Sequence, residues 1–163
     1  MNDGIDEILE QWARERPDLD VSPMAVLGRL ARVARLCDVR LSRTFSIHDL
    51  DAASFDVLAT LRRAGRPYRL TPTELQRSAM VTSSAIAQRL NRLETRGFIV
   101  RKSSDADGRV TDVVLTPQGL RLIEKALPAH VMNEHRLLAG LSDDQKNQLA
   151  SLLVQLFDSV QAN

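Results

Sequence analysis

The sequence predicts a mainly α (α+β) fold in which helices at both ends of the chain flank one small β-hairpin. Three observations predict it. Of the 163 residues, 44% are hydrophobic but only 4% aromatic, so the core must be built from Leu, Val, Ile and Ala, which favours helices. Helix-start chemistry recurs along the chain, at Ser22-Pro23, Asp51, Thr71-Pro72, Thr116-Pro117 and Ser142. Two short β-rich runs, 98–102 and 110–115, flank a polar stretch containing Asp-Gly.

The elements follow in order. Ile5, Ile8, Leu9 and Trp12 share one face of a first helix over about 5–14, which Pro17 and the Asp-Leu-Asp after it break. Ser22 as cap and Pro23 at the first helical position open a long helix to about Phe45, with Met24, Leu27, Leu30, Ala34, Leu41 and Phe45 as its apolar stripe. Asp51 caps a third helix carrying Phe55, Leu58 and Leu61 and ending near Gly65. Thr71-Pro72-Thr73-Glu74 is a capping box for a short helix through Ala79. After a turn at Val81-Thr82-Ser83, a helix runs from about Ser83 to Arg96 and stops at Gly97. The hairpin follows. Thr116-Pro117 then starts a helix to about Ala139, and the capping box Ser142-Asp143-Asp144-Gln145 opens a last one to near Val160. Short helix, turn, second helix and hairpin make a winged helix-turn-helix. The chain reads as one unit in three parts: 1–50 as N-terminal dimerisation helices with an extra first helix, 51–116 as the winged lobe, and 117–163 as C-terminal dimerisation helices.

Composition narrows the function. The single cysteine rules out an intrachain disulfide and fits a reducing compartment. The acidic, amphipathic start is unlike a signal or transit peptide, and no apolar run approaches the roughly 18 residues of a membrane span. A cytoplasmic protein with no membrane contact is expected. The net charge of +1 hides an asymmetry. From Thr60 to Arg121 there are twelve Lys/Arg against five Asp/Glu, and elsewhere ten against sixteen. A basic middle on an acidic scaffold suits nucleic acid, although a solvated charged face has the same composition.

The helix at 83–96 favours duplex DNA. At about 100° per residue, Ile86, Leu90 and Leu93 form its core stripe. Opposite lie Ser84, Gln88, Asn91 and Thr95, with Arg92 on the flank. These side chains hydrogen-bond base edges and phosphates in a major groove. Thr82 and Ser83 of the turn join them as candidate DNA contacts. On the wing, Arg109 is suited to a narrow minor groove, and Asp107 orients an arginine and shapes the turn. Arg89 lies on the same side of the helix but closer to the core stripe, better placed for a buried anion than for bases.

The span Leu70 to Gly119, with SSAIAQRLNRLETRGFIVRKSSDADGR followed by VVLTPQG, resembles the multiple-antibiotic-resistance regulator (MarR) family. The segments ILEQWARERPDLDVSPM, FDVLATLRRAGRPY and LPAHVMNEHRLL resemble its urate-responsive, PecS-type branch. The resemblance implies a homodimeric transcription regulator, commonly a repressor of a divergent neighbouring gene. It implies a triangular dimer whose DNA affinity falls when a ligand binds between the dimerisation region and the DNA lobe. The branch's ligand residues match Trp12, Asp56 and Arg89, and an arginine thought to couple ligand to DNA matches Arg101. Some urate-responsive members have an arginine where this chain has Phe55, so urate and other purine or aromatic anions both remain open as effectors.

The residues allow the same site on physical grounds. A planar anion can stack on Trp12, pair with Arg89 and repel Asp56, which gives the differential energy an allosteric ligand needs. Trp12 can equally anchor the extra helix, and Asp56 can be a plain surface carboxylate. Cys37, alone among apolar neighbours of the second helix, is either a structural thiol or a redox sensor, the alternative reading of function. His48, His130 and His135 lack metal-site spacing and there is no glycine-rich phosphate loop, so neither metal, cofactor nor enzyme activity is expected. The expected partners are double-stranded DNA, a second copy of the chain and a small-molecule effector.

Overall fold

The computed structural model describes residues 3–78, 83–103 and 111–162, with the side chains of 83–86 outside the description. The chain divides into two compact units, Met1–Arg43 and Thr44–Asn163.

The first unit holds α1 (Ile5–Glu15) and α2 (Ser22–Ile47) as far as Arg43. Ile5 of α1 is buried and meets α2 at Gly28, where a Cβ would lie 3.0 Å from the Ile5 Cδ1 atom. Glycine therefore sets how closely the two helices approach. Arg29 fastens the start of α1 through Asp3 at 2.8 Å and Asp6 at 2.6 Å. The helix α2 begins at Ser22 itself, the expected cap, one residue before the expected first helical position at Pro23, and the Asp20 carboxylate accepts the Ser22 amide at 2.9 Å. Much of its apolar stripe is exposed, with Met24 at 44% and Leu27 at 54%.

In the second unit, α3 (Ala52–Arg63), β1 (Arg69–Leu70), α4 (Pro72–Ser78), α5 (Ser83–Thr95), β2 (Ile99–Ser103), β3 (Thr111–Leu115), α6 (Pro117–Leu137) and α7 (Asp143–Gln161) follow in order. The caps expected in this unit all form. Asp51 accepts the Ser54 amide at 2.8 Å, and Thr71 and Glu74 bond reciprocally. Thr116 accepts the Gly119 amide, and Ser142 and Gln145 complete a capping box. The sheet has one strand more than expected. Its order is β1-β3-β2, with Leu70 opposite Val113 and Ile99 opposite Leu115, all antiparallel. Two-residue β1 carries no alternation of its own and exists through its pairing with β3.

Val57, Leu58 and Leu61 of α3 pack with Leu75, Leu90, Leu93, Ile99, Val113 and Ile123, all fully or nearly fully buried. Beside them Phe55 stacks on Phe45 and His130, each with ring centroids 4.6 Å away. At the start of α6, Gly119 is forced by contact, since a Cβ there would lie 2.0 Å from the Phe98 carbonyl oxygen. That close approach, with the Thr116 hydroxyl donating to the Gly97 carbonyl at 2.7 Å, locks α6 against the entry to β2. None of the described residues of α7 is buried. No helix among the described residues is long and apolar enough to cross a membrane.

Candidate nucleic-acid interface and effector residues

The helix α5 is oriented by its apolar side. Leu90 and Leu93 are 2% and 0% exposed, so the rest of the helix turns outward by geometry. Gln88, Asn91, Arg92 and Thr95 are all exposed, and together they form the expected polar face. Ser83 and Ser84 are the first residues of α5, but their side chains lie outside the description. Thr82, Asp107 and Arg109 also fall outside the described residues.

The outward face is braced by charge. Arg101, the expected coupling residue, donates from its backbone amide to Glu94 Oε1 at 3.0 Å and from Nη1 to Glu94 Oε2 at 2.7 Å. Its Nη2 reaches Asn91 Oδ1 at 2.8 Å. A guanidinium fork thus ties β2 to α5 and holds the Asn91 amide with its NH2 group free to donate. Any displacement of β2 therefore acts directly on a candidate base-reading side chain. The hydroxyl of Thr95 donates to the Asn91 carbonyl at 3.0 Å, which leaves its methyl group and lone pairs outward.

The other end of the brace is the loop between α2 and α3, which sequence reasoning treated only as a helix start. Arg96 donates to the Asp49 carbonyl at 2.7 Å and to its carboxylate at 2.5 Å, and lies over the Phe98 ring at 4.8 Å. Arg89 Nη1 sits 2.8 Å from Asp51 Oδ2, and Arg92 Nη1 sits 3.3 Å from the same oxygen. Burial pushes the Asp51 carboxyl upward. The Ser54 amide and hydroxyl and the charges of Arg89 and Arg92 outweigh it and hold the group below its ordinary range. Two arginines of α5 and Arg96 just after it are thus gripped by two aspartates two residues apart. The signal in the sequence was the Asp49-x-Asp51 spacing just ahead of the basic middle.

The expected effector residues are placed as follows. Arg89 is the least exposed arginine of the Asp51 pair, at 28% against 55% for Arg92, and its Nε is buried with no hydrogen-bond partner among the described residues. Asp56 is half-buried on α3. Trp12 is carried by α1 in the first unit and is 41% exposed. Phe55, the departure from the family's arginine, is a core residue at 6% exposure within the aromatic stack, so no charge can stand there without dismantling that stack. Cys37 on α2 is half-buried rather than enclosed.

Known proteins place the chain in a family. Residues 48–110 match a family model described as MarR family. The chain is 42% identical over 149 residues to the HTH-type transcriptional regulator PecS of Dickeya dadantii, covering 91% of this chain and 90% of PecS. Its fold is similar to that of a cysteine-to-serine mutant of MarR from E. coli complexed with operator DNA, with a TM-score of 0.72, 29% identity, and coverage of 85% of this chain and 99% of that one. It is also similar to BpsR of Bordetella bronchiseptica, whose DNA binding is regulated by 6-hydroxynicotinic acid, with a TM-score of 0.73, 24% identity, and coverage of 82% and 93%. The chain belongs to the MarR family of DNA-binding transcriptional regulators.

Proposed function

We propose that the chain is a repressor that holds a pseudo-palindromic operator as a homodimer and releases it when a small anionic aromatic effector, such as urate, engages Arg89. The observation that carries the reading is the two-sided use of α5. Gln88, Asn91, Arg92 and Thr95 are exposed on it, while Arg89 points back to an aspartate with its Nε buried and unsatisfied. One helix therefore offers both a DNA face and a cation for a small anion. Thr82, Ser83, Ser84, Asp107 and Arg109 complete the proposed DNA contacts. Trp12 and Asp56 are the proposed stacking and repelling partners of the effector, and Arg101 the coupler. BpsR, which shares the fold, is regulated by a planar acid, and this supports the class of ligand.

The proposed dimer is supported by apolar surface. Val154, Phe157 and Val160 of α7 are 61%, 61% and 68% exposed, which is more than an isolated soluble chain normally leaves in one row. Helices of 1–50 and 117–163 would supply the dimerisation region, and 51–116 the DNA lobe.

The test is a mobility-shift titration on the DNA upstream of the chain's own gene, with urate, xanthine, salicylate and peroxide compared as releasing agents. Release by a planar anion in the wild type, lost in Arg89→Ala while operator binding persists, is the expected result. Release by peroxide alone, abolished in Cys37→Ala, would instead establish the redox reading, which the half-buried thiol supports. Equal loss of DNA binding and release in Arg89→Ala would sink the division of labour on α5.

A further inference from the structure

We propose that Asp51 is an internal stand-in for DNA phosphate, a carboxylate shared by Arg89 and Arg92 that passes wholly to one arginine when an outside anion takes the other. Its two oxygens have separate duties. Oδ1 accepts the Ser54 amide at 2.8 Å and pins the residue as the cap of α3. Oδ2 faces both arginines, nearer to Arg89 at 2.8 Å than to Arg92 at 3.3 Å. Arg89 and Arg92 are three residues apart on α5, so they are neighbours on its surface and reach the same oxygen. They differ in access. At 55% exposure Arg92 is open to a backbone phosphate, whereas Arg89 at 28% is reached by something smaller.

Two consequences follow from sharing one oxygen. With Arg92 on a phosphate, Asp51 is left to Arg89, and the cap loses nothing. With Arg89 on an effector anion, Asp51 has only Arg92, and that arginine is held inside the protein instead of on DNA. The two anions are thus linked through one carboxylate, and the linkage is reciprocal because it is a coupling of binding free energies. The cap keeps the carboxylate still, so the exchange needs side-chain movement only. The effector half of this proposal rests on the reading of Arg89 as the effector arginine. The DNA half does not.

Asp51→Asn tests both halves, since Asn is as good a cap and carries no charge. Operator affinity at fixed salt is expected to rise about two- to fivefold, the scale of a partly exposed ion pair removed. The slope of log affinity against log salt should steepen by up to about one, because an Arg92 freed of its internal carboxylate neutralises a phosphate more fully and releases more of the counterions condensed on the DNA. Neither change should survive in the Arg92→Ala background. With urate as probe, the ratio of operator affinity without and with urate should fall towards one in Asp51→Asn, while calorimetry still registers urate binding. Thermal melting of Asp51→Asn and of Asp51→Ser, a second capping residue, separates this from a folding defect.

Unchanged operator affinity and salt slope in a normally folded Asp51→Asn would overturn the proposal. So would an equal gain with Arg92 absent, or full urate release without the carboxylate. If neither urate, xanthine nor salicylate binds or releases the wild type, the effector reading fails. The Asp51–Arg92 double-mutant comparison on DNA alone then still decides whether Asp51 competes with phosphate.

Discussion

The helices α5 and α7 are both amphipathic, 13 and 19 residues long, and they spend their apolar sides differently. Leu90 and Leu93 of α5 are removed from water by α3 and the sheet, whereas Leu152 and Phe157 of α7 stand 54% and 61% exposed. The same periodicity thus has two meanings. In α5 it fixes the orientation of a reading face, because burying two leucines leaves the polar residues only one direction to point. In α7 it leaves an exposed apolar row, and the proposed second copy would be its cover. The stiffness of the proposed DNA face therefore depends on the chain's own core, and in the proposed dimer the spacing between two such faces would depend on another molecule.

The largest effect is expected where the first half of that comparison is broken. Leu93→Ala removes a wholly buried side chain between α5 and α3, a loss of about 2–5 kcal/mol for a leucine cavity. In a chain of this size the melting temperature should drop by on the order of 10 °C, followed by circular dichroism. Operator binding should fall with it, since the reading face loses its anchor. A Leu93→Ala protein that melts like the wild type would mean that α5 is not oriented by this packing.

Breaking the second half should look different. Phe157→Asp puts a charge on a residue that is already 61% exposed in the chain, so the fold of the winged part should tolerate it. The expected outcome is a soluble monomer by light scattering after gel filtration, with operator affinity reduced because two half-sites are no longer engaged together. A protein that remains dimeric would show that the α7 row is not the interface.

What the sequence made legible follows the range of each interaction. The starts of α3, α4, α6 and α7 were placed by their caps, because a cap is a bond between residues two or three apart, as at Asp51 and Ser54 or Ser142 and Gln145. The exposed face of α5 was legible for the same reason, since periodicity is local. Strand β1 was not, because two residues have no period and its partner Val113 lies more than 40 residues away. Nor was the double role of Asp51. As a cap it was read from Ser54, but as a counter-ion it meets Arg92 across 41 residues, and only the packing of α3 on α5 brings them together. Arg89 was expected to lie closer to the core than Arg92 and does, at 28% exposure against 55%, but its carboxylate partner at 2.8 Å came from the loop and not from the sequence pattern.

The smallest effect sharpens the comparison by adding a titration to one region only. The Asp51 carboxyl is held below its ordinary range because the Ser54 amide and hydroxyl and the two arginine charges outweigh the effect of its burial. A carboxyl lowered in the folded state stabilises the fold at all pH values above its unfolded pKa of about 3.9. That contribution is lost as pH falls through the folded value, because protonation cancels the attraction to Arg89 and Arg92 and weakens the cap. Melting followed against pH should therefore show an acid decline below about pH 4 that is shallower in Asp51→Asn, which has no proton to gain. Phe157→Asp should leave the wild-type shape of this decline in place, because nothing on α7 touches Asp51 chemistry. Identical acid profiles for the wild type and Asp51→Asn would show that the loop carboxylate contributes nothing to the stability of the reading helix.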